Sequence, residues 1–366
     1  KEHDVMVNGD TIGGDERSAQ NSLIMPFGDD QTMFYIFTTE QVYGDDEYAL
    51  RYSIVDMKED EARGKVIVKN IKLMDNSTER ISGSGFTGND LIMAHEFGNN
   101  TFRGYRTSPA GLSGAIFSPS GEVHDFMQEL SATGYMKISP TLNQIAVNIP
   151  GTNQVEILDI DQGEVSNPRL IDTGENDLYG MEFSPGGLKL YLTTSSGASK
   201  LIQYDLDSLN SADPVGDIEA TKFDGYPQGS NYGALQLGPD GTIYMAVDNS
   251  GSLGTINAPD GDDAGASFNA TGFDLSGRTS RLGLPNFAQN QSPPLQEPSM
   301  TVTAGCAGQE SIFSGVGRDP NNSIENYLWI FGDGTSAAAQ DTTHTYNNPG
   351  TYTVQLVLSN RCDTDT

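Results

Sequence analysis

Carboxylates dominate the groups in this chain that can do chemistry: 50 Asp and Glu stand against 20 Lys and Arg, with 4 His and 2 Cys. A glycosidase needs two carboxyl groups held roughly 5–10 Å apart, but among so many acids no spacing singles out a pair. His95, in the run Met-Ala-His-Glu-Phe at 93–97, is the most suggestive single residue. A histidine beside a glutamate can act as an acid/base element; beside an apolar strand it is expected instead to be a hydrogen-bonded core side chain. His3 and His124 lie in polar stretches without sequence partners. No Gly-x-Ser-x-Gly elbow, phosphate-binding loop or zinc-spaced Cys/His cluster is present. The expectation is therefore a chain without catalytic residues, not an enzyme. Two other chemistries stay open. Asp260, Asp262 and Asp263 crowd one Gly-rich loop, which suits a hard cation such as calcium, the one cofactor considered, or forms a plain acidic loop. Phe223, Tyr226 and Tyr232 cluster in a second Gly-rich segment, where aromatic faces can stack on a glycan or fill a core.

The formal charge of −30 argues against partners that require clustered cations, namely nucleic-acid phosphates and anionic membrane surfaces. It suits a highly solvated surface or several divalent-cation sites. No run of 18 apolar residues occurs, so no transmembrane helix is expected. At 366 residues the chain suits two domains.

The elements that must position these groups read as strands. Short β-rich runs at 33–38, 48–55, 65–68 and 91–94 are separated by Gly, Asp, Asn, Ser and Pro. A strand–turn–strand unit then repeats: Ile-Ser-Pro at 138–140, Phe-Ser-Pro at 183–185 and Leu-Gly-Pro at 237–239, each followed by an apolar strand. A shortened copy, Phe-Ser-Pro-Ser-Gly, begins at Phe117. Further strands follow at 155–161, 201–207 and 254–260. Pro140, Pro185 and Pro239 set a period near that of a four-stranded propeller blade. Such a blade cannot bury both faces alone, so the fold expected for residues 1–290 is an all-β propeller. Residues 291–299, with Pro293, Pro294 and Pro298, form a stiff linker.

From residue 300 the pattern changes. Tyr327, Trp329 and Phe331 alternate with Leu328 and Ile330, Gly332-Asp333-Gly334 turns the chain, and Pro349-Gly350 turns it again before an alternating return strand. A buried Trp on one strand and a Tyr after a turn suit an immunoglobulin-like sandwich. The stretch resembles the PKD domain, whose W-x-F-G-D-G and H-x-Y-x-x-P-G-x-Y pattern is carried by Trp329, Phe331, Gly332, Asp333, Gly334, His344, Tyr346, Pro349, Gly350 and Tyr352. PKD domains are extracellular spacers and adhesive modules, so the resemblance implies a structural role for His344. Cys306 and Cys362 bracket the module's strands and are expected to pair in an oxidising compartment, stabilising by about 4 kcal/mol on the chain-entropy model. Two free thiols are the alternative.

The wording of the propeller repeats resembles one family more closely. Tyr-Gly-Met-Glu-Phe-Ser-Pro at 179–185, Tyr-Gly-Ala-Leu-Gln-Leu-Gly-Pro at 232–239, Gly-Leu-Pro-Asn-Phe at 283–287 and Ser-Ala-Gln-Asn-Ser-Leu-Ile-Met-Pro at 18–26 are similar to the N-terminal propellers of surface proteins exported by the type IX secretion system of Bacteroidetes-like bacteria. The resemblance implies a secreted or surface-attached extracellular protein, a first blade short of strands, and further segments beyond this stretch. The function it implies is an adhesin or the subunit of a surface filament, with copies of itself or other surface proteins as partners. A carbohydrate-binding propeller is the alternative, and a polysaccharide hydrolase or lyase the third reading.

Overall fold

The computed structural model describes residues 5–27, 30–40, 48–85, 90–108, 110–125, 133–195, 199–206, 220–222, 231–261, 265–290, 299–316, 326–359 and 364–365. The chain divides into two compact units, Lys1–Asn290 and Gln291–Thr366.

The first unit holds five four-stranded antiparallel blades among the described residues. Blade 1 is β1 (Ser22–Phe27), β2 (Asp30–Thr38), β3 (Leu50–Asp56) and β4 (Lys65–Met74). Blade 2 is β5 (Ser77–Gly85), β6 (Leu91–Glu96), β7 (Asn99–Ser108) and, past the short β8 (Gly111–Leu112), β9 (Ile116–His124). Blade 3 is β10 (Met136–Ile138), β11 (Gln144–Ile149), β12 (Gln154–Asp161) and β13 (Glu164–Asp172). Blade 4 is β14 (Leu178–Phe183), β15 (Lys189–Thr194), β16 (Leu201–Asp205) and β17 (Ala220–Lys222). Blade 5 is β18 (Tyr232–Leu237), β19 (Ile243–Val247), β20 (Ser252–Asn257) and β21 (Ser267–Asp274). The first strands touch in sequence, β1 on β5, β5 on β10, β10 on β14 and β14 on β18, which makes them the inner ring of a propeller.

Each apolar cluster joins two consecutive blades, which is why no blade is stable alone. Leu23, Met25 and Phe37 meet Ile81, Ile92 and Ala94; Met93 and Phe102 meet Met136, Ile138 and Val147. Val155, Ile157 and Ile171 meet Met181, Phe183 and Leu190, and Tyr191 and Leu201 meet Leu235, Ile243 and Met245. Fully burying such a side chain contributes roughly 1.5–3 kcal/mol. The three full repeats close their hairpins in the same way: the N–H groups of Ser139, Ser184 and Gly238 donate to the carbonyls of Gln144, Lys189 and Thr242 at 2.8–2.9 Å.

Two sequence expectations are corrected here. Blade 1, expected to be short of strands, has four. The shortened repeat at Phe117 is no hairpin; it lies within β9, the outer strand of blade 2, paired with β7. Pro119 is tolerated there because an edge strand need not donate a second ladder bond.

The second unit pairs β23 (Ser299–Thr303), β24 (Glu310–Val316) and β27 (Asp341–Thr345) in one sheet. The other holds β26 (Ser336–Ala337), β25 (Asn326–Ile330), β28 (Gln355–Ser359) and β29 (Thr364–Asp365). Phe313, Trp329, Phe331, Leu356 and Leu358 fill the core.

Candidate functional site

Among the described residues the ring of blades is closed between β18 and β1 by residues 280–290 rather than by a further sheet. The Ala234 N–H donates to the Leu282 carbonyl at 2.7 Å, and Phe287 bridges Ile24 of β1 in parallel. The final pair, β22 (Gln289–Asn290), lies parallel to Ser84 and Gly85 of β5. Gly233 is required for this approach, because a Cβ there would stand 2.1 Å from the Leu282 oxygen.

Inside the ring the strap meets a buried polar cluster. The Lys137 ammonium donates to Glu182 Oε2 and to Gln236 Oε1, both at 2.9 Å, and Gln289 Nε2 donates to Glu182 Oε1 at 2.8 Å. Lys137 and Glu182 are 1% and 0% exposed. Lys137, Glu182 and Gln236 each stand three residues before the proline of their repeat, so the repeat delivers one polar side chain per blade to the same level of the channel. Polar residues at one fixed position in otherwise apolar inner strands are the signal that a sequence reading passes over.

Where the inner strands begin, the channel opens into a cavity of about 400 Å³. Its lining includes Glu16, Arg17, Tyr135, Tyr179, Asp248 and Arg281, together with the strap at 282–284. Arg17 pairs with Asp15 at 2.9 Å. Arg281 donates to Asn249 Oδ1 at 2.7 Å and lies 3.7 Å from Asp248. The rings of Tyr135 and Tyr179 are 5.8 Å apart at 54°. Burial holds both phenols above their ordinary range, Tyr135 well above it. Both hydroxyls therefore stay neutral and able to donate and accept. The walls are pinned from behind: Glu79 Oε2 accepts the Ala19 N–H at 2.9 Å, and Asn148 holds the Tyr135 N–H (2.5 Å) and the Tyr179 carbonyl (2.6 Å).

The residues singled out by sequence fall elsewhere. His95 is fully buried with Nδ1 2.7 Å from the Glu96 carbonyl. His124, expected in a polar turn without partners, is instead buried at the end of β9, its ring tilted at 30° against that of His95 with centroids 3.9 Å apart. Its polar neighbours in sequence concealed a strand end that folds inward. Tyr232 is core, 1% exposed, while Phe223, Tyr226 and His3 lie outside the described residues. Asp260 Oδ1 accepts the Gly186 N–H at 2.7 Å, tying the blade 4 turn to blade 5. Asp262 and Asp263 lie outside the described residues, and no group of three metal-ligating side chains occurs among those described. Cys306 is an exposed free thiol; no disulfide forms among the described residues, and Cys362 lies outside them.

In the second unit the motif residues brace one another. Trp329 is fully buried and donates to the Ala339 carbonyl at 2.9 Å. Gly332 and Gly334 adopt φ of +79° and +92°, as the turn requires. Asp333 accepts from Thr335 and lies 2.7 Å from His344 Nε2; these hydrogen bonds pull its carboxyl down to about 2. Phe331 stacks on His344, His344 meets Tyr346 edge-on, and Tyr346 stacks on Tyr352, whose hydroxyl donates to the Asn348 carbonyl just before Pro349-Gly350.

Residues 291–366 match the family model described as PKD domain. Short stretches resemble collagenases: 39% identity over 56 residues to Collagenase ColA of Bacillus cereus, covering 15% of this chain and 6% of that protein. Microbial collagenase of Vibrio alginolyticus is 36% identical over 66 residues, covering 17% and 8%. The chain thus spans less than a tenth of the curated relatives it matches. Among solved structures it is similar to a putative 6-phosphogluconolactonase from Bacteroides uniformis, with TM-score 0.47 and 13% identity, covering 92% of this chain and 88% of that one. It is also similar to a periplasmic gluconolactonase from Pseudomonas aeruginosa, with TM-score 0.45 and 12% identity, covering 92% and 87%. These names correct the expectation that the chain is not an enzyme. A missing catalytic motif is no ground for setting catalysis aside, because function lives in a site that neither fold nor motif spacing fixes. The chain is all-β, a propeller followed by a PKD domain, which is the make-up of an extracellular-type protein. No helix among the described residues is long and apolar enough to cross a membrane.

Proposed function

We propose that this is a secreted or surface-attached protein that binds a neutral, hydroxyl-rich carbohydrate in the mouth of its propeller. The lining of the cavity carries this reading. Glu16 and Asp248 accept, Arg17 and Arg281 donate, and the neutral, half-buried Tyr179, backed by the buried Tyr135, does both while offering a ring. Vicinal hydroxyls need such mixed partners, and a pocket with two charges of each sign on a chain of −30 favours a neutral ligand over an anion. The filament or adhesin reading, with export by the type IX system, draws on the module pair and the wording of the repeats, and the mouth supports a binder better.

The test is saturation-transfer NMR of the full chain against a panel of neutral mono- and oligosaccharides, with product analysis of the same samples to detect turnover. Tyr179→Ala and Arg281→Ala are each expected to weaken the best binder about tenfold or more, the loss of about 1.4 kcal/mol that one good polar or stacking contact supplies. A panel without a binder, or a binder indifferent to both substitutions, overturns the reading.

A further inference from the structure

Two successive residues of β5, Glu79 and Arg80, support the two walls of the mouth from beneath. They are 2% and 0% exposed, stand where the register of β5 on β6 is irregular, and reach different partners. Glu79 reaches the 15–21 segment through Ala19. Arg80 reaches blade 3, where Nη2 donates to the Asn148 carbonyl at 2.7 Å and to the Thr133 carbonyl. Asn148 is the residue whose side chain fixes the Tyr135 and Tyr179 backbones.

The other edge of the same guanidinium meets the histidine pair. Arg80 Nη1 lies 3.0 Å from His124 Nδ1. Arginine only donates, so His124 Nδ1 is the acceptor and its proton sits on Nε2. His95 Nδ1 faces a carbonyl, so there the proton is on Nδ1. His124 is thus neutral, and the hydrogen bonds place a proton on opposite nitrogens of the two rings. His124 Nε2, His95 Nε2, Arg80 Nε and Glu156 Oε2 are buried without a hydrogen-bond partner among the described residues.

Among charged side chains Arg80 acts on both histidines. Arg80 in turn interacts with Glu79 on its own strand and with Glu156 on β12, Glu156 meets Glu122 of β9, and Glu96, whose carbonyl faces His95, is held through its carboxylate by Arg103 of β7. Glu156 accepts the Glu122 N–H at 3.0 Å, and a Cβ at Gly121 would stand 2.3 Å from its Oε1, so the carboxyl is packed tightly in place. Burial pushes it up to about 7. Burial, with Arg80 adding repulsion, drives His95 down to about 3 and His124 well below its usual range.

We propose that Arg80 is a positioning residue for the propeller mouth, and that its hydrogen bond to the buried His124–His95 pair makes this positioning acid-sensitive. A proton taken up from solvent at His124 Nδ1 turns the acceptor into a donor. N–H then faces N–H, two cations stand in contact, and the guanidinium is displaced from Asn148 and Thr133. The tyrosine pair loses its fixed spacing as a result. The functional meaning rests on the carbohydrate reading above, whereas the geometry does not.

The experiment places 3-fluorotyrosine at position 179 of the full chain and follows its fluorine resonance from about pH 8 to about pH 3, a span that runs from above the ordinary histidine value of about 6.5 down to the value to which burial drives His95. The resonance is expected to shift on acidification. His124→Gln, which keeps an oxygen to accept from Arg80 and cannot titrate, should abolish the shift. Arg80→Met should give the acid-like resonance throughout. The same transition in H124Q, or a native-like resonance in R80M, overturns the proposal. Should either variant lose its near-ultraviolet dichroism, the unmutated protein decides. Histidine Cε1 protons titrating with the fluorine midpoint support the proposal, and separate midpoints overturn it. Affinity for the best sugar of the panel is expected to fall at least tenfold across the same transition. A moving fluorine signal with unchanged sugar affinity removes the carbohydrate reading of the mouth and leaves the positioning role in place.

Discussion

Two buried polar clusters lie within one propeller and are built to opposite ends. In the channel, Lys137, Glu182, Gln236 and Gln289 answer one another at 2.8–2.9 Å. Beneath the mouth, Arg80, His95, His124 and Glu156 leave four polar atoms unpartnered among the described residues. A fully satisfied network in low dielectric stiffens what it joins, whereas a half-satisfied one is costly and sensitive to any change of protonation. The contrast separates a fixed axis from an adjustable rim.

The strongest way to break this comparison is Lys137→Met, which strands the Glu182 carboxylate in the channel. A loss of about 3–5 kcal/mol is expected, read as a lowered denaturation midpoint of the propeller. Lys137→Met with Glu182→Leu should recover most of it, and a single-site cost near zero would erase the contrast. Arg80→Met should cost less, about 1–3 kcal/mol, because it removes an unpaired donor together with three made hydrogen bonds.

The pH dependence sharpens the comparison at smaller cost. The folded histidines titrate below the unfolded value of about 6.5, so their contribution is complete above that value. It is lost as pH falls from there toward about 3. Glu156, raised to about 7 from 4.5, acts in reverse: its contribution is present below 4.5 and is lost as pH rises to about 7. Two histidines outweigh one acid, so thermal stability should decline toward acid. His124→Gln should flatten that decline, and Glu156→Gln should lift stability above neutral pH. The smallest effect is expected in the second unit. Asp333, held down to about 2 by Thr335 and His344, contributes stability that is present above 3.8 and lost as pH falls through about 2. Asp333→Asn should therefore remove only that shallow acid limb from the PKD transition.

The repeat was legible because each Pro-containing turn joins two strands with apolar alternation, and β10–β11, β14–β15 and β18–β19 stand where that pattern predicts. β5 was not legible. Its sequence, Ser-Thr-Glu-Arg-Ile-Ser-Gly-Ser-Gly, is polar, yet all nine residues are buried, because their side chains serve the channel and the neighbouring blades rather than an apolar layer. The mouth was equally hidden. Arg17, Tyr135, Tyr179, Asp248 and Arg281 are far apart in sequence and converge only when the ring closes, while the eye is drawn to His95 and the Asp260 loop. The PKD residues were legible as a set because their contacts, Asp333 to His344 and Phe331 to Tyr346, span so few positions.

The strap through the ring also has a mechanical consequence. The chain quits the propeller from its axis at Asn290, after bonding Ala234 of blade 5, Ile81 of blade 2 and Glu182 of blade 4. Tension applied to the chain beyond Asn290 is therefore shared among three blades at their innermost strands. The parallel pairing with Ser84 and Gly85 is loaded along its length. A tether fixed to an outer strand would unzip one hydrogen bond at a time from the rim, whereas a pull at the hub strains several blades before any one of them can peel.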